Sequence, residues 1–179
     1  MSSYDSLRQT YRPSSIKVLF VAESPPPAAN VQSSRQFYMT DRIRKDDRLF
    51  VNTIRALYPV QTAELNEKML EEMKETWLRR FQSDGYYMIE ALETSLQHEV
   101  TKVERQALIK AHLPELIRRV RQLVNEKTRI ILIKSNVFEV VAEPLRAAGF
   151  HVLNRGLVDY PGQFNQRAYR EKVTALLQK

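Results

Sequence analysis

Short apolar segments alternate with longer segments of helical periodicity along this chain, and this alternation limits its possible folds more than any other feature. The apolar segments span residues 16–22, 86–91, 129–133 and 150–153. Near-continuous apolar runs of this length are typical of strands that are covered on both faces. Strands that alternate with amphipathic helices form a parallel sheet with helices on both sides. We therefore predict a three-layer α/β/α sandwich with a four-stranded, mainly parallel sheet.

The length of the chain, 179 residues, suits one domain with one hydrophobic core. Residues 1–15 are polar and contain Pro13, which predicts an irregular N-terminal lead-in. Residues 16–179 then form the single domain.

Periodicity and capping residues predict the helices between the strands. The spacing of apolar residues predicts one continuous helix over residues 62–81. Thr101 and Glu104 have the spacing of a capping box, so a helix should begin there. Another helix is expected from Asn136, as its N-cap, to a stop at Gly149. The apolar residues that define the first of these helices are Leu65, Met69, Met73, Trp77 and Phe81.

The composition restricts the chemistry that the protein can perform. Lysine and arginine number 28 against 21 aspartate and glutamate residues, a net charge of +7, which favours a polyanionic partner such as nucleic acid. The chain has no cysteine, which excludes disulfides, thiolate metal sites and thiol catalysis. His98, His112 and His151 are too far apart in sequence for a ligand motif. We expect no metal and no cofactor.

No segment of the sequence has the length and apolarity of a membrane span, and the N-terminus lacks the apolar core of a signal peptide. The sequence therefore predicts a soluble, cytoplasmic protein without a membrane partner. It does not define the oligomeric state.

Polar residues at the end of the first strand are the first candidates for a functional site. In parallel α/β sheets, ligands bind beyond the carboxyl ends of the strands. The first strand ends in Glu23 and Ser24, and Pro25-Pro26-Pro27 follow, which cannot continue a strand. An acid and a hydroxyl held by a stiff turn are therefore expected at this edge of the sheet.

The third and fourth strands end in further candidates at the same edge. Lys134 and Asn136 follow the third strand, where the N-terminus of the predicted helix could bind an anion. The loop over residues 154–164 follows the fourth strand and contains Arg155 and Gln163, which are placed to contact phosphate.

Two of these strand ends carry a resemblance to a known family. Ala22-Glu23-Ser24-Pro25-Pro26 resembles the first motif of the uracil-DNA glycosylase superfamily, whose versions run Gly-Glu-Ala-Pro-Gly, Gly-Gln-Asp-Pro-Tyr or Gly-Xaa-Asn-Pro-Gly. Tyr160-Pro161-Gly162-Gln163-Phe164 stands where the family has its second motif, His-Pro-Ser. The resemblance covers the strand order and both motif loops, and it implies the uracil-DNA glycosylase-like fold.

The resemblance implies catalytic roles for Glu23, Ser24 and Tyr160. Ser24 occupies the position of the Asp or Asn that orients water or stabilises the sugar cation, and its hydroxyl can position water without offsetting that charge. Glu23 is the carboxylate available in this turn. Tyr160 stands in place of the motif histidine, as the donor to the leaving base.

The resemblance also implies how a base and its phosphates would be bound. Phe37, with Tyr38 beside it, matches the aromatic residue that stacks on a flipped base. Gly162 matches a small residue that lets the DNA backbone approach. The full base- or ligand-binding set is Phe37, Tyr38, Pro25, Lys134, Asn136, Gly162 and Gln163, and the phosphate contacts are Arg42, Arg44 and Arg155.

The expected function is the binding of DNA or of a nucleobase-containing ligand, with cleavage of the N-glycosidic bond of a damaged base as its catalytic form. Two alternatives stay open: a catalytically inactive nucleic-acid- or nucleotide-binding member of the fold, and a regulatory protein-interaction module. The same residues also have structural interpretations, since Glu23 and Ser24 could cap a helix and Phe37 and Tyr38 could pack a loop.

Overall fold

The bounds of the helices and strands come from a computed structural model that describes residues 3–25, 37–40, 47–96 and 100–178. The strands are β1 (Val18–Ala22), β2 (Tyr86–Glu90), β3 (Arg129–Leu132) and β4 (His151–Val152). The helices are α1 (Ser3–Thr10), α2 (Arg48–Leu57), α3 (Glu67–Glu72), α4 (Lys74–Ser83), α5 (Lys102–Ala111), α6 (Leu113–Leu123), α7 (Ser135–Ala147) and α8 (Gln166–Leu177).

The four strands form one parallel sheet in the order β2-β1-β3-β4. Val18 of β1 lies opposite Tyr86 of β2 and Arg129 of β3. The α/β class and the four-stranded parallel sheet flanked by helices are therefore confirmed, and the arrangement is consistent with a three-layer sandwich. The chain runs from β1 to β2 on one side and then crosses to β3 on the other, so the strand order reverses between β1 and β3. Crevices at such reversals are where open α/β sheets bind ligands.

The core forms around β1, the buried central strand. Every residue of β1 is buried, as expected for an apolar strand with helices on both faces. The ring of Phe20 packs against Phe81 of α4 and Tyr86 of β2. Elsewhere α2 packs on α8, and α5 packs on α7. These contacts between helices complete the packing around the sheet.

The prediction of an irregular lead-in is wrong for residues 3–10, which form α1. Two tertiary contacts order this polar segment. The Arg8 guanidinium donates to the Glu90 carboxylate at the end of β2, at 3.1 Å, and the Tyr11 ring stacks on Tyr38 with the ring centroids 5.8 Å apart. Their partners lie far away in sequence, so local propensity does not reveal them.

The predicted helices are confirmed in part. The capping box of Thr101 and Glu104 starts α5. The predicted helix over residues 62–81 is instead two helices that meet at Met73, where φ is −94° and ψ is 17°. The predicted N-cap role of Asn136 is wrong, because α7 already begins at Ser135 and Asn136 lies inside its first turn.

Tyr38 contacts the outer edge of β2, a strand that pairs with β1 alone among the described residues. The Tyr38 hydroxyl accepts from the backbone N–H of Met88 at 2.7 Å and donates to the Met88 carbonyl at 3.2 Å. Burial raises the pKa of Tyr38, so this hydroxyl stays protonated. The Tyr38 hydroxyl therefore satisfies the two Met88 backbone groups that a neighbouring strand would otherwise pair with.

Tyr38→Phe should lower the free energy of unfolding by about 1–2 kcal/mol, because it leaves a buried N–H and a buried carbonyl unpaired. Urea unfolding of the purified protein measures this change. Tyr87→Phe is the matched control, since its hydroxyl makes a longer 3.4 Å bond to the Arg8 carbonyl and should matter less. Equal losses in the two variants would show that Tyr38 does not have this special role.

Candidate ligand site at the carboxyl ends of β1 and β3

Glu23 is the centre of a polar cluster at the carboxyl edge of the sheet. It directly follows β1, and only 6% of its surface is exposed. One carboxylate oxygen accepts from Asn136 Nδ2 at 2.7 Å. The other accepts from Arg105 Nη1 at 3.2 Å and from Lys134 Nζ. The structure thus brings Glu23 together with Lys134 and Asn136, which lie 111 and 113 residues away from it in sequence.

Lys134 has the most unusual backbone in the cluster. Its φ is 81° and its ψ is 142°, and it is the one non-glycine residue with positive φ in the part of the chain that the structure describes. This region is almost reserved for glycine and costs about 1–3 kcal/mol for other residues. The Lys134 N–H donates to the Val158 carbonyl at 2.7 Å, and the ion pair with Glu23 holds the side chain. Strain of this kind concentrates at functional sites.

Asn136 presents an unused acceptor within the same cluster. The residue is 4% exposed. Because a carboxylate can only accept, the bond to Glu23 assigns Nδ2 to that side and leaves Oδ1 facing away. Oδ1 is buried and has no partner among the described residues. An unpaired buried acceptor costs about 1–3 kcal/mol, a cost that a ligand donor would relieve.

The N-terminus of α7 adds donors beside that acceptor. No side chain caps this helix. The first hydrogen bond of the helix comes from Phe138, which donates to the Lys134 carbonyl, so the N–H groups of Ser135, Asn136 and Val137 have no acceptor in the described parts of the chain. These groups carry the positive end of the helix dipole. Donors and an acceptor therefore lie side by side at one edge of the sheet.

The charges of the cluster do not balance. One carboxylate, Glu23, faces two cations, Lys134 and Arg105. The Lys134 side chain is 35% exposed, so it reaches solvent while it contacts Glu23. The cluster therefore carries an excess positive charge that a ligand with an anionic group would offset.

The turn that follows β1 contains the other two predicted residues of this motif. Ser24 is half-buried and its hydroxyl makes no hydrogen bond within the described ranges, whereas Pro25 is buried. The role of Ser24 in positioning water stays a prediction.

Phe37 and Tyr38 are both packed into the core. Phe37 is 3% exposed, and its ring lies 5.0 Å from Tyr38, 5.9 Å from Phe50 and 5.3 Å from Phe81, measured between centroids. These contacts favour the packing interpretation over base stacking. No described contact supports the stacking role of Phe37, which stays a prediction.

The second motif loop is more open than the first. Tyr160 is 39% exposed and Phe164 is 90% exposed. A Cβ on Gly162 would meet no protein atom closer than 4.0 Å, and Gln163 is exposed. Tyr160 lies near Tyr169 of α8: burial raises the pKa of Tyr169, a hydrogen bond with Thr53 opposes the rise, and Tyr160 adds to it. None of the described hydrogen bonds joins Tyr160 to Glu23, so its donor role stays a prediction.

The predicted phosphate contacts divide into two groups. Arg155 is exposed on the loop that follows β4. Arg42 and Arg44 lie outside the described residues, as do Pro26 and His98.

Sequence reasoning missed Arg105 and a second polar cluster at the end of β2. There Glu90 is buried, Arg8 pairs with it and with Glu93, and Arg119 donates to the Glu90 and Ala91 carbonyls. Glu90 had a usable signal, since it is an acid at the end of an apolar strand, as Glu23 is. Arg105 had none, because it reaches Glu23 from a helix 82 residues away.

Two kinds of feature are not found in the described ranges. These ranges hold no group of histidine, aspartate and glutamate side chains that could bind a metal ion, and none of their helices is both long and apolar enough to cross a membrane. Comparison with protein-family models, with curated proteins and with solved structures found no match for this chain.

Proposed function

We propose that the protein binds DNA or another nucleobase-containing ligand between the carboxyl ends of β1 and β3. The observation that carries this proposal is the buried Oδ1 of Asn136, which has no hydrogen-bond partner in the described ranges and whose amide is oriented by Glu23. The position of this oxygen at the reversal of strand order supports the proposal, because ligands of open α/β sheets bind there. The resemblance of the turn over residues 22–26 to a base-excision motif is further support.

The chemistry of the cluster fits the edge of a nucleobase. A base presents N–H donors next to carbonyl or ring-nitrogen acceptors, and proteins read this edge with amide side chains and backbone groups. Asn136 Oδ1 would accept from a base N–H. The free N–H groups at the start of α7 would donate to a neighbouring carbonyl or to a phosphate. Lys134 adds a cation beside them.

The same geometry favours binding over catalysis. Both oxygens of Glu23 are engaged, and two cations offset its charge. A carboxylate in this state is a poor general base and gives a developing sugar cation little stabilisation. Cleavage of an N-glycosidic bond is the catalytic form of this proposal, and it is tested separately. In that form Ser24 would hold water and Tyr160 would donate to the leaving base.

Asn136→Ala should weaken the binding of a short single-stranded oligonucleotide about tenfold, which corresponds to about 1.4 kcal/mol for a lost base contact. Fluorescence anisotropy of a labelled strand in low-salt buffer measures this affinity. Asn125→Ala is the matched control, because it removes an exposed amide in the turn before β3, at the opposite end of the sheet, and should leave the affinity unchanged.

Two outcomes would contradict the binding proposal. One is the absence of oligonucleotide binding by the unmodified protein at low salt, which would favour a protein-interaction module. The other is an unchanged affinity in a folded Asn136→Ala variant.

Catalysis is tested with uracil-, hypoxanthine- and xanthine-containing strands that are treated with alkali. Cleavage that disappears in a Glu23→Ala, Ser24→Ala double variant would extend the proposal to an enzyme, and cleavage that persists would remove both residues from the site.

A further inference from the structure

A basic groove runs along the free edge of β4, outside the cluster of Glu23, Lys134 and Asn136. Its volume is about 800 Å³. The residues that line it, as far as the chain is described, are Arg129, Arg146, Phe150, His151, Val152, Leu153 and Arg155. Three arginines and a histidine therefore line one groove, and none of the lining residues that the structure describes is acidic.

The arginines of the groove keep charge available for a partner. Arg155 is exposed and makes no hydrogen bond or ion pair within the described ranges. Arg129 donates to the Leu177 carbonyl, a neutral acceptor, at 3.3 Å. Arg146 pairs with Glu143, which is 83% exposed, and also donates to the Asn154 carbonyl. The Arg146 side chain is 32% exposed, and an ion pair with a carboxylate as exposed as that of Glu143 is weak, so an anion can compete for Arg146.

From these observations we infer that the groove binds the phosphate backbone of a single-stranded nucleic acid. Two properties of the groove favour this partner over an acidic peptide. Arg129 lies opposite His151 in the sheet, and Arg155 follows shortly after the end of β4, so the cations are distributed along the groove and suit a run of phosphates. The half-buried ring of Phe150 lies among them, and a cationic groove with an aromatic side chain is typical of single-strand binding.

The loop over residues 154–164 connects the groove to the site between β1 and β3. Arg155 lines the groove, and three residues later the Val158 carbonyl accepts from the Lys134 N–H. A strand that follows the groove is thus led toward the start of α7. The inference deepens the proposed function and rests on it for the base that is bound, but the phosphate contacts can be tested separately.

Arg155→Ala and Arg146→Ala should each reduce the salt dependence of oligothymidylate binding. The slope of the logarithm of affinity against the logarithm of salt concentration should fall by about 0.7 for each lost phosphate contact. Affinity at low salt should fall roughly fivefold for each variant. Arg146→Lys keeps the charge and should retain most of the slope, which separates loss of charge from loss of fold. Phe150→Leu should lower affinity without changing the slope, because it removes only a stacking face.

Arg121→Ala is the matched control for charge. Arg121 is exposed on α6 without a hydrogen bond or ion pair within the described ranges, and its neighbour Arg119 contacts the end of β2, at the other edge of the sheet. The inference is overturned if Arg155→Ala and Arg146→Ala leave the slope unchanged, if Arg121→Ala lowers it equally, or if polyglutamate competes as well as oligothymidylate does.

A reduced slope in the groove variants with no effect of Asn136→Ala would support the groove and contradict the proposed base site. An unchanged slope in the groove variants, together with weaker binding by Asn136→Ala, would support the base site and contradict the groove.

Discussion

Replacing Glu23 with alanine is expected to lower the free energy of unfolding by about 3 kcal/mol, the largest loss that we predict for any single substitution. The variant leaves Lys134 and Arg105 close together without their shared carboxylate, and it leaves Asn136 Nδ2 without an acceptor. Removing the buried partner of these ion pairs costs more than the pairs contribute, because Arg105 and Lys134, whose side chains are 19% and 35% exposed, then lie close together without a counter-charge. Urea unfolding measures the change, with the slope of the transition as the check on two-state behaviour.

Two comparisons separate this effect from the general loss of an ion pair. Glu171→Ala removes an exposed carboxylate that pairs with Arg167 at 2.7 Å, and it should cost less than about 0.5 kcal/mol. In a Lys134→Met background the cost of Glu23→Ala should fall by at least about 1 kcal/mol, because one of the two stranded cations is then absent. If the cost is the same in both backgrounds, Glu23 does not act as the counter-charge of Lys134.

The fold could be predicted from sequence because its signals are local. Four apolar runs identify four strands, and the capping box of Thr101 and Glu104 identifies the start of α5, since each signal lies within a few residues. The same reasoning missed α1 and predicted an irregular segment there, because the ordering contact of Arg8 is with Glu90, 82 residues away. It also joined α3 and α4, because apolar residues keep the same spacing across the break at Met73.

The position of the candidate site could be predicted from the sequence, but the contacts between its side chains could not. Because the carboxyl ends of parallel strands lie at one edge of the sheet, where ligands bind, the order of elements alone predicts Glu23, Lys134 and Asn136 at that edge. The sequence cannot show that Arg105 and Lys134 share the carboxylate of Glu23, because the three residues come together only when helices pack on the sheet. Phe37 and Tyr38, predicted either to stack on a base or to pack a loop, were ambiguous for the same reason, and the described contacts place both rings in the core.

The backbone of Lys134 had no sequence signal, since positive φ at the end of a strand normally predicts glycine. Glycine would adopt this backbone conformation without strain. A lysine in its place indicates that the Lys134 side chain has a role there. The Glu23 carboxylate and the Val158 carbonyl hold Lys134 in this conformation. Relative to alanine at this position, glycine should therefore raise stability without restoring ligand binding.

Lys134→Gly should be more stable than Lys134→Ala by about 1–3 kcal/mol. Both variants lose the ion pair with Glu23, and only the glycine variant also loses the strain at φ 81°. At an ordinary position the order is reversed, because glycine loses more conformational entropy on folding than alanine does. In the anisotropy assay both variants should bind the labelled oligonucleotide about tenfold more weakly than the unmodified protein does, because both lack the ammonium group.

Gly149→Ala is the matched control for this strain. Gly149 has a φ of 86°, and a Cβ built there meets no atom within 4 Å, so its substitution tests the backbone alone. Gly85 has the same φ but is unsuitable, because a Cβ there would lie 2.8 Å from Lys17 Cγ. Gly149→Ala should destabilise the protein by about 1 kcal/mol or more and leave oligonucleotide binding unchanged. If Lys134→Ala equals or exceeds Lys134→Gly in stability while Gly149→Ala is destabilised, the strain at Lys134 is not real. If Lys134→Gly is more stable than Lys134→Ala and binds the oligonucleotide as tightly as the unmodified protein does, the strain exists but does not contribute to ligand binding.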